Sequence, residues 1–236
     1  MIRLGIVVAL SPEARPLVER RIKPGERVDV DGQRWVELCG IGAKRARRAA
    51  ESLLDAGSTA LLSWGMAGGL DPSLLPGHLV LPETIVASDC TQYRVDADWH
   101  ARVCRCLQGQ VVASSGALVE SHTVVSDSAE KASLAQTFGA VAVDMESAAI
   151  AAAARRANIP FMAIRAVADP VGRPIPAGVV DGLDAYGRVR LHTLAWLILQ
   201  RPSTLADLLR LYRDNRTACA TLTKVVKLTS PNLLAS

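Results

Sequence analysis

Aromatic residues are scarce in this chain: two Phe, three Tyr and four Trp among 236 residues. No basic stripe interleaves with them, so the stacking and phosphate-tracking surface of a nucleic-acid binder is missing, and nucleic acid is not an expected partner. Long apolar runs are absent too. No stretch reaches the roughly 18 residues that a membrane-crossing helix needs. The first residues, MIRLGIVVALSPEARPL, hold too short an apolar core and no small-residue cleavage site for an export signal, so a cytoplasmic protein is expected. Cysteine is neither abundant nor patterned. The five (Cys39, Cys90, Cys104, Cys106, Cys219) are odd in number, and Cys104 and Cys106 are one residue apart, which suits neither a redox pair nor a zinc knuckle. No metal and no disulfide framework are expected, only idle thiols. Internal repeats and low-complexity linkers are also lacking.

What is present is a large apolar fraction, 50% of the residues, in a length that suits one large α/β domain. Charge is uneven. Residues 201–236 hold six basic and two acidic side chains, which accounts for the whole net charge of +4 and leaves the first 200 residues balanced.

Apolar runs bounded by turn residues alternate with helical stretches. The spacing predicts strands over 2–10, 59–64, 78–87, 117–123, 141–143 and 161–168, and a hairpin of 27–30 with 34–38 about Asp31-Gly32. It predicts helices over 12–21 (Ser11 as cap, Pro12 first), 43–56 (closed by Gly57), 97–107, 126–137 and 145–157. Such alternation implies a single-domain, three-layer α/β/α fold with a central mixed, mostly parallel sheet over residues 1–200. Residues 201–236 form a basic amphipathic helical extension. Ligands of these sheets sit beyond the carboxyl ends of the strands, which singles out 10–13, 65–69, 123–127, 144–146 and 169–170.

Three of those segments carry an acid flanked by apolar residues. Asp144 directly precedes a helix and can cap its free amides. Glu146 falls in the first turn, where the helix dipole favours its ionised form, a bidentate acceptor suited to a vicinal diol such as a ribose. Asp169 ends a strand and Pro170 keeps it out of a helix. Desolvation there raises its pKa and makes it a proton donor, unless it serves only as a turn cap. Glu13 is a first-turn acid of little meaning by itself. Gly65-Met66-Ala67-Gly68-Gly69 reads as a loop that lets backbone approach a sugar or phosphate closely. Gly40-Ile41-Gly42 precedes a helix and can receive an anion. It is a poor dinucleotide fingerprint, since Arg45 replaces the third glycine and the next strand ends without an acid, which disfavours an NAD-dependent oxidoreductase.

The segments LGIVVALSPEA, CGIGAKRA, LLSWGMAGGLDPSLLPGHLVLPE, VDMESAA and PFMAIRAVADP, taken in order, resemble the purine nucleoside phosphorylase and nucleosidase superfamily over about residues 2–200. The resemblance is strongest to its methylthioadenosine/adenosylhomocysteine nucleosidase branch. It implies a nucleoside phosphorylase-like fold, a homodimer, and cleavage of the N-glycosidic bond of an adenine nucleoside through an oxocarbenium-like ribosyl centre. By the same resemblance Glu146 holds the ribose hydroxyls, Asp169 protonates N7 of the leaving purine, and Glu13 positions or deprotonates the attacking water. Met145, Gly65, Met66, Ala67, Gly68, Val124 and Val125 are implied to contact substrate. No cofactor is implied beyond inorganic phosphate as a co-substrate. Met66 stands where members often carry Ser or Thr, and Val124 and Val125 where many nucleosidases place an aromatic. Arg15, Lys44 and Arg45 lack the register of phosphate ligands, which leaves water and phosphate both open as nucleophile. His122 either lines the pocket or is a polar strand residue.

The tail RPSTLADLLRLYRDNRTACATLTKVVKL runs past the usual end of that family, with Leu205, Leu208, Leu209 and Tyr212 at helical spacing. Such a helix docks on its own domain, on a partner subunit, or on an anionic membrane surface. With this tail the chain resembles hopanoid-associated phosphorylase-like proteins of bacteria, whose implied job is to remove adenine from adenosylhopane, a lipid-linked nucleoside met at a membrane. The alternatives are an ordinary methylthioadenosine/adenosylhomocysteine nucleosidase or purine nucleoside phosphorylase, and a non-catalytic nucleoside- or lipid-binding module.

Overall fold

Strand-forming runs and helical runs alternate along the chain, and in a computed structural model, described over residues 3–173, 184, 186 and 204–229, they assemble into one mixed sheet covered on both faces. The elements run β1 (Leu4–Val8), α1 (Ser11–Ala14), β2 (Arg27–Asp29), β3 (Arg34–Leu38), α2 (Ala43–Asp55), β4 (Ala60–Gly69), β5 (Leu79–Val80), β6 (Thr84–Val86), β7 (Gln92–Arg94), α3 (Ala97–Leu107), β8 (Ala113–Ser114), β9 (Ala117–Glu120), α4 (Ser128–Phe138), β10 (Ala140–Asp144), α5 (Ser147–Ala157), β11 (Phe161–Asp169) and α6 (Thr204–Leu228).

The long strand β4 organises the sheet. β11 runs parallel to it from Leu61 to Gly68, while β1 runs parallel to its first half only, ending opposite Trp64. β10 meets β4 antiparallel, pairing Val143 with Gly68 and Ala142 with Gly69. The carboxyl ends of β1 and β10 therefore face each other across residues 65–67 of β4, and β11 ends beside them at Asp169. This meeting of strand ends creates the site described below. Outward from the centre, β3 is parallel to β1, and β9 and β6 continue parallel from β10.

Two cores sandwich the sheet. On one face α2 and α5 pack through small side chains, Ala46, Ala49 and Ala50 with Ala149, Ala153 and Ala154, all buried. On the other face lie Trp99, Val103 and Leu107 of α3 and Ala218, Leu222 and Val225 of α6. The three-layer, mostly parallel architecture expected from the sequence is the one observed.

Several boundaries differ from expectation, each for a physical reason. The helix expected over 12–21 ends at Ala14, because Pro16 has no N–H to donate back to the Pro12 carbonyl and its ring crowds that carbonyl. The strand expected over 78–87 is split into β5 and β6, with Pro82 between them, and the two pair with different strands. Residues 65–69, expected as a loop, are the second half of β4. The helix expected from 145 begins at Ser147, with Glu146 in the cap position. The domain boundary placed at residue 200 lies outside the described residues. In α6 the docking face is Ala218, Leu222 and Val225, whereas Leu205, Leu209 and Tyr212 are exposed.

Candidate active site

Glu13 follows β1 in a helix too short to bury it alone; the fold does so, leaving it 3% exposed. Its Oε2 accepts from the Leu10 amide at 2.8 Å and its Oε1 from the Met66 amide at 2.8 Å. Gly65 is what allows this approach. A Cβ there would lie 2.6 Å from Glu13 Oε1, so only glycine leaves room for the carboxylate. Burial pushes the Glu13 pKa up, with the Arg165 guanidinium and the Met66 and Leu10 amides opposing it.

Asp144 and Glu146 sit where β10 turns into α5. Asp144 Oδ1 accepts from the Glu146 and Ser147 amides at 3.3 and 3.2 Å, so it does cap the helix start. It also does something the sequence did not announce: Arg165 Nε donates to Asp144 Oδ2 at 2.8 Å. The guanidinium of Arg165, 3% exposed, donates onward to Ser63 Oγ at 2.6 Å and Ser147 Oγ at 3.0 Å. This network fixes the turn that carries Glu146.

Glu146 accepts from the Gly42 amide through Oε1 at 2.7 Å. The anion received by the Gly40-Ile41-Gly42 turn, expected from outside, is thus one of the chain's own carboxyls. The expectation that the helix start favours an ionised Glu146 needs correction. Its pKa is raised to about 8, first by burial and second by the Asp144 carboxylate, and these outweigh the Gly42 amide and Arg165. Dipole effects at a helix start are worth about 1 kcal/mol at most exposed sites, too little to offset full desolvation.

Asp169 lies beside Gly68, whose missing side chain makes space for it: a Cβ would come within 3.1 Å of Asp169 Oδ2. Burial raises its pKa, as expected from the sequence, against the opposing charge of Lys131. Lys131, entirely buried, donates through Nζ to Asp169 Oδ2 at 2.7 Å and to the Asp169 carbonyl at 2.6 Å. It was not among the expected site residues; a Lys in the middle of an otherwise polar helical stretch reads as solvated.

All three acids border one cavity of about 220 Å³, far above the roughly 10–15 Å³ a single water requires. Its wall includes the expected Met66, Ala67, Gly68, Val124, Val125 and Met145, and also Ile41 and, from α6, Leu211 and Asn215. Gly65 does not line this cavity; it lies beneath Glu13 and acts by making room. His122 is exposed and shares a hydrogen bond of 2.9 Å with Ser88 Oγ, away from the wall. Arg15, Lys44 and Arg45 are exposed and absent from it, and among the described residues no Lys or Arg lines it. Behind Glu13 and Glu146, with Arg165 as a third polar wall, is a separate space of about 10 Å³, the size of one water.

Residues 3–181 match the family described as the Phosphorylase superfamily. The chain belongs to that superfamily. Membership makes it an N-glycosyl hydrolase- or nucleoside phosphorylase-type enzyme. No curated protein matches it in sequence. Among solved structures it is similar to the 5'-methylthioadenosine/S-adenosylhomocysteine nucleosidase of Neisseria meningitidis in complex with methylthio-immucillin-A, at a TM-score of 0.72 and 20% identity over 97% of this chain and 98% of that one. The native futalosine hydrolase of Helicobacter pylori gives a TM-score of 0.69 and 18% identity over 96% of this chain and 97% of that one. At such identities the likeness is one of fold.

Proposed function

We propose that the protein is a purine nucleosidase that uses water to release adenine from an adenine nucleoside with a bulky, apolar 5′ substituent. The observation that carries this reading is the convergence of Glu13, Glu146 and Asp169, far apart in sequence, on one cavity. Asp169 gives its proton to N7 of the purine as the N9–C1′ bond breaks and its electron pair passes to the base. The ribosyl centre becomes oxocarbenium-like. Glu146, once it has released its proton to solvent as the nucleoside binds, is ionised beside this positive charge, and both its oxygens can accept from the ribose hydroxyls. Water adds to C1′ and its proton passes to Glu13, whose raised pKa brings it nearer the operating pH of a general base. Asp169 is left ionised and Glu13 protonated, and exchange with solvent resets both.

Water rather than phosphate is supported by the water-sized space between Glu13, Glu146 and Arg165, and by the absence of a cation from the described cavity wall. It is supported also by the nucleosidase and futalosine hydrolase among the structural relatives. The wall of Leu10, Ile41, Val124, Val125, Met145 and Leu211 suits a purine face and an apolar 5′ group. Adenosylhopane, the substrate implied by the sequence resemblance, combines those features, and the exposed Leu205, Leu209 and Tyr212 with Arg213 and Arg216 on α6 would rest on the anionic membrane that holds it.

The test is free adenine released from methylthioadenosine, adenosylhomocysteine and a long-chain 5′-alkyl adenosine, each with and without phosphate. Release independent of phosphate and fastest with the long chain is expected. A phosphate requirement would remove the role given to Glu13. Equal rates with methylthioadenosine would favour an ordinary methylthioadenosine nucleosidase, the second reading, which the fold likeness supports.

A further inference from the structure

Lys131 rises from the first turns of α4 and is entirely buried, and among the described residues its ammonium meets the end of β11 and the residue after it. Its acceptors among the described residues are the Asp169 carbonyl at 2.6 Å, Asp169 Oδ2 at 2.7 Å and the Pro170 carbonyl at 3.5 Å. A buried cation must be compensated, and a carboxylate does so far better than neutral carbonyls. Among the described residues the other charged groups around Asp169 answer to partners or to one another. Across the cavity stand Glu13, Asp144 and Glu146, and toward α6 stand the Arg173–Asp214 pair at 2.9 Å and the Arg210–Asp207 pair at 3.4 Å.

We infer that Lys131 is a positioning residue for the general acid: it holds Asp169 Oδ2, leaves Oδ1 to carry the proton, and favours the carboxylate that forms when that proton goes to the purine. This inference rests on the nucleosidase reading above. Before transfer, a protonated Asp169 leaves the Lys131 cation with poor company. After transfer the pair is an ion pair with matched charges. The interaction is stronger in the state approached by the reaction than in the ground state, which is what lowers a barrier. Burial and Lys131 thus pull Asp169 in opposite directions: burial raises its pKa, and the lysine makes its proton easier to lose. Asp127 caps α4 by accepting from the Glu130 amide, and Gly139 ends it in the left-handed region, so the helix is fixed at both ends with Lys131 aimed at β11.

The experiment compares wild type, Lys131→Met and Lys131→Arg in two measurements. In turnover of methylthioadenosine, Lys131→Met is expected to lower kcat by about 10–100-fold with KM within about threefold, and to move the high-pH limb of the rate profile up by about one pH unit or more. Lys131→Arg, which keeps the charge, should recover most of kcat and the original limb. The second measurement needs no turnover: the ¹³C carboxyl titration of Asp169, assigned by comparison with Asp169→Asn, should have a higher midpoint in Lys131→Met than in wild type. If Lys131→Met does not fold, Lys131→Gln, a neutral side chain that can still donate, should show the same displacement. Coincident midpoints, or a loss of kcat with an unmoved limb, would overturn the inference. A wild type that turns over neither methylthioadenosine nor a long-chain 5′-alkyl adenosine would count against the nucleosidase reading, and the titration would still decide the role of Lys131.

Discussion

Single side chains carry the chemistry, and two glycines make room for them. Gly65 and Gly68 were read from the sequence as places where backbone nears a sugar; Gly68 lines the cavity, and the two also leave space for carboxylates, Gly65 for Glu13 and Gly68 for Asp169. Gly65→Ala should displace the Glu13 carboxylate and lower kcat by about 10²-fold, as misplacement of a reacting group does, with far-ultraviolet circular dichroism unchanged. Retention of full activity would show that Glu13 tolerates movement and is not the base. Glu120 offers a test of stability. Burial and the Asp144 carboxylate raise its pKa to about 7 from an ordinary 4.5. The folded state thus binds this proton more tightly than the unfolded chain does. The stabilisation is complete below about pH 4.5 and is lost as pH rises through about 7, a contribution on the order of a few kcal/mol. The melting temperature should fall between pH 5.5 and pH 8.5, and Glu120→Gln, which does not titrate, should flatten part of that fall.

At the scale of elements, the sequence revealed what depends on local pattern and hid what depends on partners. Strands and helices were legible from apolar runs and caps, because periodicity and capping are local physics. The acids at strand ends were legible for the same reason, since a carboxyl at the border of an apolar run is conspicuous. Pro16 and Pro82 were legible in principle as breakers and decide where α1 ends and where β5 parts from β6. Arg165 and Lys131 were not, because a cation in a sequence does not declare whether it will meet water or an Asp twenty or more residues away. The direction of β10 was equally hidden; its antiparallel meeting with β4 depends on the whole sheet. The tail shows the same division. Its helical period was plain, but the docking face proved to be Ala218, Leu222 and Val225. Leu222→Ala should destabilise the protein by about 2–5 kcal/mol in urea unfolding, whereas Leu209→Ala should stay within about 0.5 kcal/mol. Equal effects would mean that α6 is packed differently.

Across the whole molecule, α6 links the cavity to the outer surface. Its residues Leu211 and Asn215 are part of the cavity wall, while Leu205, Leu209 and Tyr212 are exposed on the same helix. Among the described residues no helix is long and apolar enough to cross a membrane. Replacing those three exposed residues by Ser should reduce co-sedimentation with anionic phosphatidylglycerol vesicles and leave methylthioadenosine turnover within about twofold, because none of them reaches the cavity wall. Unchanged co-sedimentation would remove the membrane from the proposal without touching the chemistry. The chemistry itself is tested most directly by Asp169→Asn. In an assay of free adenine from a long-chain 5′-alkyl adenosine, with calorimetry of the same nucleoside, this variant should lose at least about 10³-fold in kcat and keep its binding within a few-fold. Adenine release by Asp169→Asn at the wild-type rate would contradict the account.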